Sequence, residues 1–467
     1  MLEKTYVAEG GVNKDLGNQE LEELFLNALS QALVDVNDAG KVIILPPDIT
    51  RFHSRAGFFT ESASHMLAGR LSAVLPALGT HMAMNDTELM RMFGTTPLYK
   101  FLVHDWRSDV CELGRIEADW VEKATNGAVR YDWPVQVNKV LRKTGAGIGD
   151  YSLAVSIGQV VPHEVAGMAN HTKNIFVGTG GKEAIDKSHF AGAAYGMEKI
   201  MGRADTPVRA LFDEGLRRFG NELPPILWVL TVISARTNEE VDAINKKHDS
   251  FMETFGSHTE MHDSARETYG SLAVRGLYIG FGRECFEKAS ALSAEVNVNL
   301  MDKSVNKAVV YLEPEEYRTT WLGNKAIYRT RMVIADGGEL LILAPALERF
   351  GEDPGIDSLI RKHGYRPGKE ILAKAAADEE LGGNLSAAAH LIHGSSENRF
   401  TIRYCPGDKI SKQEIESVGF QWGDLKEAQS RYDINKLSSG WNTLSDGEKI
   451  FYVPNPALGL WAEKKRF

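Results

Sequence analysis

Short apolar runs that end in polar residues recur along the first half of the chain. The first, residues 41–45, is rich in β-branched side chains and leads through two prolines into the polar sequence DITRFHS. Another ends at residues 78–79 with His81 just beyond it, and residues 150–161 lead to His163. Such runs predict the strands of an α/β fold. Because the carboxyl ends of parallel strands lie at the same edge of a sheet, we expect these polar residues to meet in one crevice.

The same kind of pattern resumes towards the C-terminus. The sequence KAVVYLE predicts the first strand of a second α/β unit, and Asp336 and Gly337 between two apolar runs predict a hairpin turn. We therefore predict an α/β fold with two domains, mostly parallel sheets and an active site in the interdomain crevice. The expected domains are residues 1–290 and residues 291–432. The tail of about residues 433–467 is expected to pack back on the first domain.

Composition and charge disfavour several classes of function. The chain has 467 residues, 43% hydrophobic and 25% charged, which is ordinary usage for a globular protein of more than one domain. With 53 Lys+Arg against 63 Asp+Glu, the net charge of -10 disfavours nucleic acid and anionic membranes as partners. The sequence has neither an apolar signal core nor the ~18 consecutive apolar residues of a membrane span. Its three cysteines are far apart, which disfavours a disulfide framework. We expect a cytoplasmic protein.

The densest group of chemically active residues lies within residues 161–190. It contains His163, His171, Lys173 and His189, although the chain has only 13 histidines. No pair in the group has the spacing of an HExxH or CxxC zinc motif. The residues alone therefore leave two interpretations open for each histidine: a structural side chain, or a group that takes part in catalysis or cofactor binding.

Four motifs together resemble those of the nickel-pincer lactate racemase family. They are DITR at residues 48–51, GTH at residues 79–81, HEVAG followed by a lysine at residues 163–173, and His189 beyond it. The resemblance covers about residues 40–195 and is thin afterwards. It implies an isomerase, a 2-hydroxy-acid racemase or epimerase, whose nickel-pincer nucleotide is made by separate cofactor-synthesis enzymes.

The resemblance also implies which residues hold the cofactor. Lys173 lies ten residues after His163, the position at which the family's lysine carries nickel pyridinium-3,5-bisthiocarboxylic acid mononucleotide through a thioamide. His189 lies sixteen residues further on, at the position of the family's nickel ligand. In the DITR motif, Asp48 and Thr50 are expected to contact the cofactor.

The expected substrate residues follow from the same resemblance. His81 and His163 are expected to act as acid/base groups for the two stereoisomers, because imidazole titrates near neutral pH. Arg51 can bind a carboxylate through two guanidinium nitrogens. Lys325, in the sequence WLGNKA, is expected to stabilise charge on the reacting oxygen. The implied chemistry is removal of hydride from C2 and its return to the other face of a planar keto acid, which avoids a carbanion beside a carboxylate.

The chain departs from the family pattern in two loops. Phe52, His53 and Ser54 replace a proline-rich continuation, and residues 169–172 replace a Ser-Gly-Gly sequence. His53, Asn170 and His171 add hydrogen-bonding groups, so we expect a longer polar substrate such as a gluconate-like sugar acid. The alternative is lactate or another short 2-hydroxy acid, with these residues contacting cofactor or solvent instead.

Two other classes of protein stay open. A nicotinamide-dependent hydroxy-acid dehydrogenase needs a dinucleotide loop, but the sequence GAGIGD at residues 145–150 precedes a predicted strand instead of opening a helix. A non-catalytic paralogue is expected to have lost part of the constellation, whereas His81, His163, Lys173 and His189 are all present. The sequence therefore favours the isomerase.

Overall fold

The structure is a computed structural model that describes residues 2–37, 40–143, 150–237, 239–241, 271–457 and 459–467. Of the glycine-rich sequence at residues 145–150, only Asp150 lies within the described residues. Each half of the chain is built on a six-stranded sheet. The α/β fold with two domains and mostly parallel sheets is confirmed, whereas the domain limits placed from the sequence stay a prediction.

The first sheet has four adjacent parallel strands and an antiparallel pair at one edge. All seven residues of its strand Leu153–Gln159 are buried, as expected for a strand covered by helices on both faces. The strands in spatial order are β1 (Lys4–Gly10), β10 (Leu272–Phe281), β9 (Ile226–Ala235), β6 (Leu153–Gln159), β2 (Val42–Leu45) and β3 (Leu71–Val74).

The second sheet is parallel apart from one edge strand. Three two-stranded pairs complete the strands: β4 (Val110–Ile116) with β5 (Trp133–Asn138), β7 (Pro162–His163) with β8 (Gly167–Met168), and β11 (Val298–Met301) with β18 (Leu460–Glu463). The second sheet runs in the order β15 (Gln421–Trp422), β14 (Thr401–Pro406), β13 (Ile334–Ala344), β12 (Val305–Tyr311), β17 (Lys449–Val453) and β16 (Gly440–Thr443).

The hairpin predicted at Asp336 and Gly337 is wrong. Both residues lie inside β13, which is a single strand parallel to both of its neighbours. Between two paired positions, β13 advances from Ile334 to Glu339 while β12 advances only from residue 305 to 307. Gly337 takes φ +80°, a conformation that suits glycine, and the extra residues form a bulge. Asp336 and Gly337, a pair typical of turns, therefore lie in a bulge within a single strand.

Helices cover both faces of the first sheet. In β2, Val42 and Ile44 pack in a core cluster with the helix Asn18–Asp35, whereas Ile43 and Leu45 face a second cluster on the other side. The described α-helices are Asn18–Asp35, Ala56–Leu67, Asp86–Phe93, Ala118–Ala124, Lys182–Tyr195, Pro207–Phe219, Glu284–Asn297, Thr320–Gly323, Lys325–Thr330, Pro354–His363, Gly368–Ala377, Glu379–Gly382, Leu385–His393, Lys412–Ser417 and Leu425–Arg431.

Single helical turns link several of these elements. The 3-10 turns are Ile49–Ser54, Ala68–Arg70, Leu98–Lys100, Lys139–Leu141, Met197–Lys199, Gly220–Glu222 and Lys464–Arg466, and one π-helical turn is Asn174–Gly178. No helix in the described part of the chain is both long and apolar enough to cross a membrane.

Two helices join the halves of the molecule. The helix Lys182–Tyr195 of the first unit packs against Leu385–His393 of the second. At their contact, the Ser386 hydroxyl donates a hydrogen bond to the Asp186 carboxylate at 2.5 Å. The tail contributes β16 and β17 to the second sheet, and Arg203 of the first unit donates to the carbonyl of the last residue. The crevice between the units therefore has walls that are fixed by packing and polar contacts.

Candidate active site

A crevice between the two units gathers every site residue that the sequence predicted. Its volume is about 1270 Å³ with its open mouth included. The predicted residues that line it are Asp48, Thr50, Arg51, His81, His163, Lys173, His189 and Lys325.

Lys173 has an amine suited to forming a covalent bond. Its ammonium group makes no hydrogen bond or ion pair with any described residue, and it faces the crevice immediately before the π-helical turn Asn174–Gly178. Burial, reinforced by the positive charge of Arg51, lowers the pKa of Lys173 to about 8. A substantial fraction of the side chain is therefore the neutral, nucleophilic amine at mildly alkaline pH.

The loop before this lysine has an unusual backbone that a buried arginine holds in place. Asn170 and His171 both have positive φ, at 66° and 55°. Arg209, with 0% exposure, donates to the carbonyl oxygens of Met168 at 2.6 Å and Asn170 at 3.1 Å, and to the Thr172 hydroxyl at 2.8 Å. Two adjacent left-handed residues are costly without glycine, so these bonds fix the direction in which the lysine leaves the loop.

His171 does not line the crevice. Its ring packs against Trp228 and Phe286, with ring centroids 4.2 and 4.9 Å away, and its Nε2 lies 3.2 Å from the Gly282 carbonyl. His53 is likewise buried in the protein and is not part of the crevice lining. These two histidines therefore add no polar group to the lining, whereas Asn170, the third residue of that prediction, does line the crevice. The longer polar substrate stays a prediction.

His189 is oriented to offer one nitrogen as a ligand. Its Nδ1 donates to the Ile185 carbonyl at 2.8 Å, one turn earlier in the helix, which leaves the Nε2 lone pair free. Burial, together with the nearby Lys173 charge, lowers the pKa of His189, so the ring is neutral at pH 7. A neutral imidazole held by a backbone carbonyl is a common metal ligand. Among the described residues, no three His, Cys, Asp or Glu side chains cluster as a metal site, so a metal here would need donors from a cofactor.

His81 forms a hydrogen-bonded pair with Asp48. Its Nδ1 lies 2.6 Å from the carboxylate of Asp48, which is 4% exposed and also accepts bonds from the Thr50 amide at 3.1 Å and hydroxyl at 2.5 Å. Burial favours the neutral acid, but His81, Thr50 and Arg51 together lower the pKa of Asp48. The ionised carboxylate holds the proton of His81 on Nδ1, so Nε2 can accept a proton. The predicted cofactor contacts of Asp48 and Thr50 stay a prediction.

His163 has the opposite arrangement. Its Nδ1 accepts the backbone N–H of Val165 at 3.1 Å, so the neutral ring carries its proton on Nε2. Burial holds the pKa of His163 well below its usual value. The carboxylate of Glu164, a residue that sequence analysis missed, lies 3.8 Å from Nε2. In this state His163 is a hydrogen-bond donor, whereas His81 is an acceptor.

Arg51 and Lys325 bring two positive groups to the crevice from opposite units. Arg51 lies in the 3-10 turn Ile49–Ser54, and its buried Nη1 has no hydrogen-bond partner in the part of the chain that the structure describes. Lys325 begins the helix Lys325–Thr330, and burial together with Arg51 lowers its pKa to about 8. A buried donor without a partner is costly, so this nitrogen suits a substrate carboxylate.

Most of the residues that the second unit contributes to the crevice wall were not predicted from the sequence. Besides Lys325, that wall is formed by Trp321, Leu322, Tyr328, Ser386, Ala389, His390 and His393. The available signal was the sequence HLIH, which places two histidines three residues apart on one helix face. Without a partner motif nearby, this spacing is equally typical of a structural helix.

The fold and the crevice define a two-domain α/β protein with an interdomain site suited to a covalently held cofactor. Residues 13–200 match the family model of the lactate racemase N-terminal domain. The resemblance found from the four motifs is thus confirmed.

Solved structures show the same fold over the whole chain. A protein from Thermotoga maritima aligns with a TM-score of 0.75 at 22% identity, covering 97% of this chain and 99% of that chain. The lactate racemase apoprotein from Thermoanaerobacterium thermosaccharolyticum aligns with a TM-score of 0.64 at 15% identity, covering 98% and 100%. No curated protein sequence gives a significant match.

Proposed function

We propose that this protein is a racemase or epimerase that inverts C2 of a 2-hydroxy acid, using a nickel-pincer nucleotide attached to Lys173. The observation that carries the proposal is the pairing of Lys173 with His189 in one crevice. Lys173 offers an amine with a lowered pKa of about 8 and no hydrogen-bond partner among the described residues, and His189 offers a neutral Nε2. These are the two donor types that a covalent nickel cofactor requires.

The residues present fit the cofactor. Lys173 would hold it covalently and His189 would bind its nickel, while Thr50 and Asp48 are proposed to lie against it. When bound, the cofactor supplies an acceptor and donor of hydride, the part of the reaction that no protein side chain can perform. The side chains of the crevice are proposed to bind and orient the substrate and to move its hydroxyl proton.

The carboxylate of the substrate is proposed to bind Arg51. The unpartnered Nη1 gives Arg51 a donor that the protein itself does not satisfy. Lys325 faces the same crevice and is proposed to stabilise negative charge on the C2 oxygen. Binding the carboxylate at one end of the acid also orients the hydrogen at C2. This positioning raises the rate of the reaction.

His81 is proposed to move the proton of the C2 hydroxyl. Its Nε2 accepts this proton as the C2 hydrogen leaves, and Asp48 stabilises the imidazolium that results. The product of that step is a planar keto acid, which can be reduced on either face.

We assign His163 to the oxygen of the other stereoisomer. Its Nε2–H donates a hydrogen bond to that oxygen, while the hydroxyl proton of this stereoisomer also passes to Nε2 of His81 and returns from it. To act as a base, the neutral ring would have to move its proton to Nδ1, where the Val165 N–H now points. The two histidines are therefore not equivalent, and His163 is the less effective proton acceptor.

The proposed substrate is a longer hydroxylated acid such as gluconate rather than lactate. His53 and His171 do not line the crevice, so support for this choice comes from Asn170, which does, and from the neutral polar side chains of the second unit, described below.

The test is production of the protein together with the cofactor-synthesis enzymes, followed by intact mass, nickel analysis and an inversion assay. The proposal expects a mass adduct, bound nickel and exchange of stereoisomers at C2. A loaded protein that oxidises a hydroxy acid only when a soluble nicotinamide is added would support the dehydrogenase alternative. A protein that never acquires an adduct would support a non-catalytic paralogue.

A further inference from the structure

One face of the helix Leu385–His393 forms a buried, uncharged strip along the second wall of the crevice. Ser386, Ala389, His390 and His393 line the crevice from this helix, and Ser386 is already bonded to the first unit. The two histidines play no part in the reaction proposed above. Their position opposite the predicted catalytic residues raises the question of what they bind.

The hydrogen bonds around His390 determine which of its nitrogens carries a proton. The Thr320 hydroxyl donates to the Phe350 carbonyl at 2.9 Å, so its oxygen must accept from the Tyr365 hydroxyl, 2.7 Å away. The Tyr365 oxygen is then the acceptor for Nε2 of His390 at 2.9 Å. The amide of Asn324 is 3.4 Å from the same nitrogen, a much weaker contact. Nδ1 of His390 is therefore left with a lone pair.

His393 has a buried nitrogen that nothing in the protein satisfies. The side chain is 4% exposed, and its Nε2 has no hydrogen-bond partner among the described residues. Such an atom costs free energy unless a ligand pairs with it. Because the residue lines the crevice, a ligand bound there can supply that partner.

Both rings are neutral at physiological pH. Burial, together with His393, lowers the pKa of His390 to about 3, and burial likewise lowers that of His393 to about 4 against the opposing effect of Glu164. A neutral ring with a lone pair accepts a hydrogen bond from a hydroxyl, but it offers no charge to a carboxylate. The aromatic ring of Trp321, 4.5 Å from that of His390, adds an uncharged surface beside it.

We propose that His390 and His393 form a subsite that binds hydroxyl groups on the substrate chain beyond C2. This inference deepens the proposed function and rests on it. Carboxylate recognition is left to Arg51, so an acid with a second carboxylate at its far end is disfavoured at this wall. The subsite selects polyhydroxylated 2-hydroxy acids over both alkyl and dicarboxylic ones.

The test compares acids of equal carbon number that differ in their hydroxyl groups. The kcat/KM for inversion is measured with glycerate against lactate, and with gluconate against 2-hydroxyhexanoate, on protein whose cofactor loading is known from intact mass. A site that hydrogen-bonds substrate hydroxyls can reject the analogue without them by ~10⁴-fold, so we expect gluconate to exceed 2-hydroxyhexanoate by at least ~100-fold. Malate and 2-hydroxyglutarate are the dicarboxylic comparison, and we expect both to be poor substrates.

Substitutions then locate this preference. His390→Leu and His393→Leu should each lower the ratio of kcat/KM for gluconate to kcat/KM for 2-hydroxyhexanoate by at least ~10-fold. The matched control is His363→Leu, since His363 is equally buried in the second unit but lies outside the crevice lining. This variant should keep the wild-type ratio of the two kcat/KM values. Should the leucine variants not fold, His390→Asn and His393→Asn, which stay polar but are shorter, should lower the ratio in the same way.

Three results would overturn the subsite. A wild-type preference for 2-hydroxyhexanoate or lactate would show that the wall binds alkyl chains, and a preference for malate or 2-hydroxyglutarate would show that it binds carboxylates. Variants of His390 and His393 that keep the wild-type ratio would place the selection elsewhere. In all three cases the proposed inversion at C2 survives, because inversion is still observed, and only the proposed choice of substrate or its subsite fails. Loaded protein that inverts no 2-hydroxy acid would overturn both proposals together.

Discussion

The wall of the crevice built by the first unit and the wall built by the second differ in chemistry. On the first, Lys173 offers an amine, a backbone carbonyl orients the ligand nitrogen of His189, and the Asp48 carboxylate orients the proton acceptor of His81. On the second, apart from the cation of Lys325, the histidines are neutral and packed among aromatic rings. The first wall is suited to bond making and the second to recognition.

This difference predicts two kinds of variant. Changes on the first wall should reduce cofactor loading or turnover for every substrate alike, whereas changes at His390 or His393 should alter the preference between substrates.

The largest effect is expected for Lys173→Ala. Without the amine no thioamide can form, so the mass adduct and the inversion activity should both be lost completely. Intact mass of protein co-produced with the cofactor-synthesis enzymes measures the adduct. Lys182→Ala is the matched control, because Lys182 lies in the same segment but is paired with Asp186 at 2.5 Å. An adduct that persists in Lys173→Ala would place the anchor elsewhere.

His189→Ala should lose most of its nickel while it keeps the organic part of the adduct. The side chain faces the crevice, and its Nδ1 bond to Ile185 is local to one helix turn, so the fold should survive. Elemental analysis and intact mass on the same sample separate the two outcomes. Wild-type nickel content would instead make His189 a structural histidine.

The two proton-transfer histidines should respond unequally to substitution. His81→Asn removes the acceptor that Asp48 orients, and loss of a general base typically costs about 100- to 10,000-fold in rate. His163→Gln keeps an N–H donor and should cost only about 10-fold. Turnover is measured from each stereoisomer at equal cofactor loading. Equal losses in the two variants would show that both rings act as bases and that the Val165 contact opens during the reaction.

The smallest effect is expected for Arg209→Met, which acts on the first wall through the backbone. It removes three hydrogen bonds to the loop that precedes Lys173, and the unfolding free energy should fall by about 2 to 4 kcal/mol. The loaded fraction should fall several-fold, whereas the substrate preference of the protein that is loaded should not change. Chemical denaturation and intact mass provide the two readouts. Normal loading would show that the loop holds its shape without Arg209.

The sequence predicted the first wall far better than the second, for a physical reason. Lys173 and His189 are placed by a loop and a helix only sixteen residues apart, so spacing alone carries their geometry. His390 and His393 reach the crevice through the packing of two helices about 200 residues apart, which no local pattern records.

Some local sequence patterns gave wrong predictions because strand pairing or side-chain packing determined the structure at those residues. Asp336 and Gly337 have the composition of a hairpin turn, but pairing on both sides of β13 keeps the strand continuous. His171 is polar and lies two residues before Lys173, yet Trp228 and Phe286 enclose its ring on the far side of the loop. The pairing of His81 with Asp48 joins residues 33 positions apart and was likewise not predictable from either motif alone.

Inversion by hydride transfer within the crevice differs from inversion by deprotonation in the fate of the hydrogen at C2, and an isotope label separates the two. Gluconate, or the best acid of the panel, is prepared with ²H at C2 and incubated with the loaded enzyme in ordinary water. If hydride is transferred, the inverted product keeps its ²H at C2, because the hydrogen leaves and returns without exchange with solvent. Replacement of the ²H by solvent hydrogen in step with inversion would contradict the account and show that C2 is deprotonated instead.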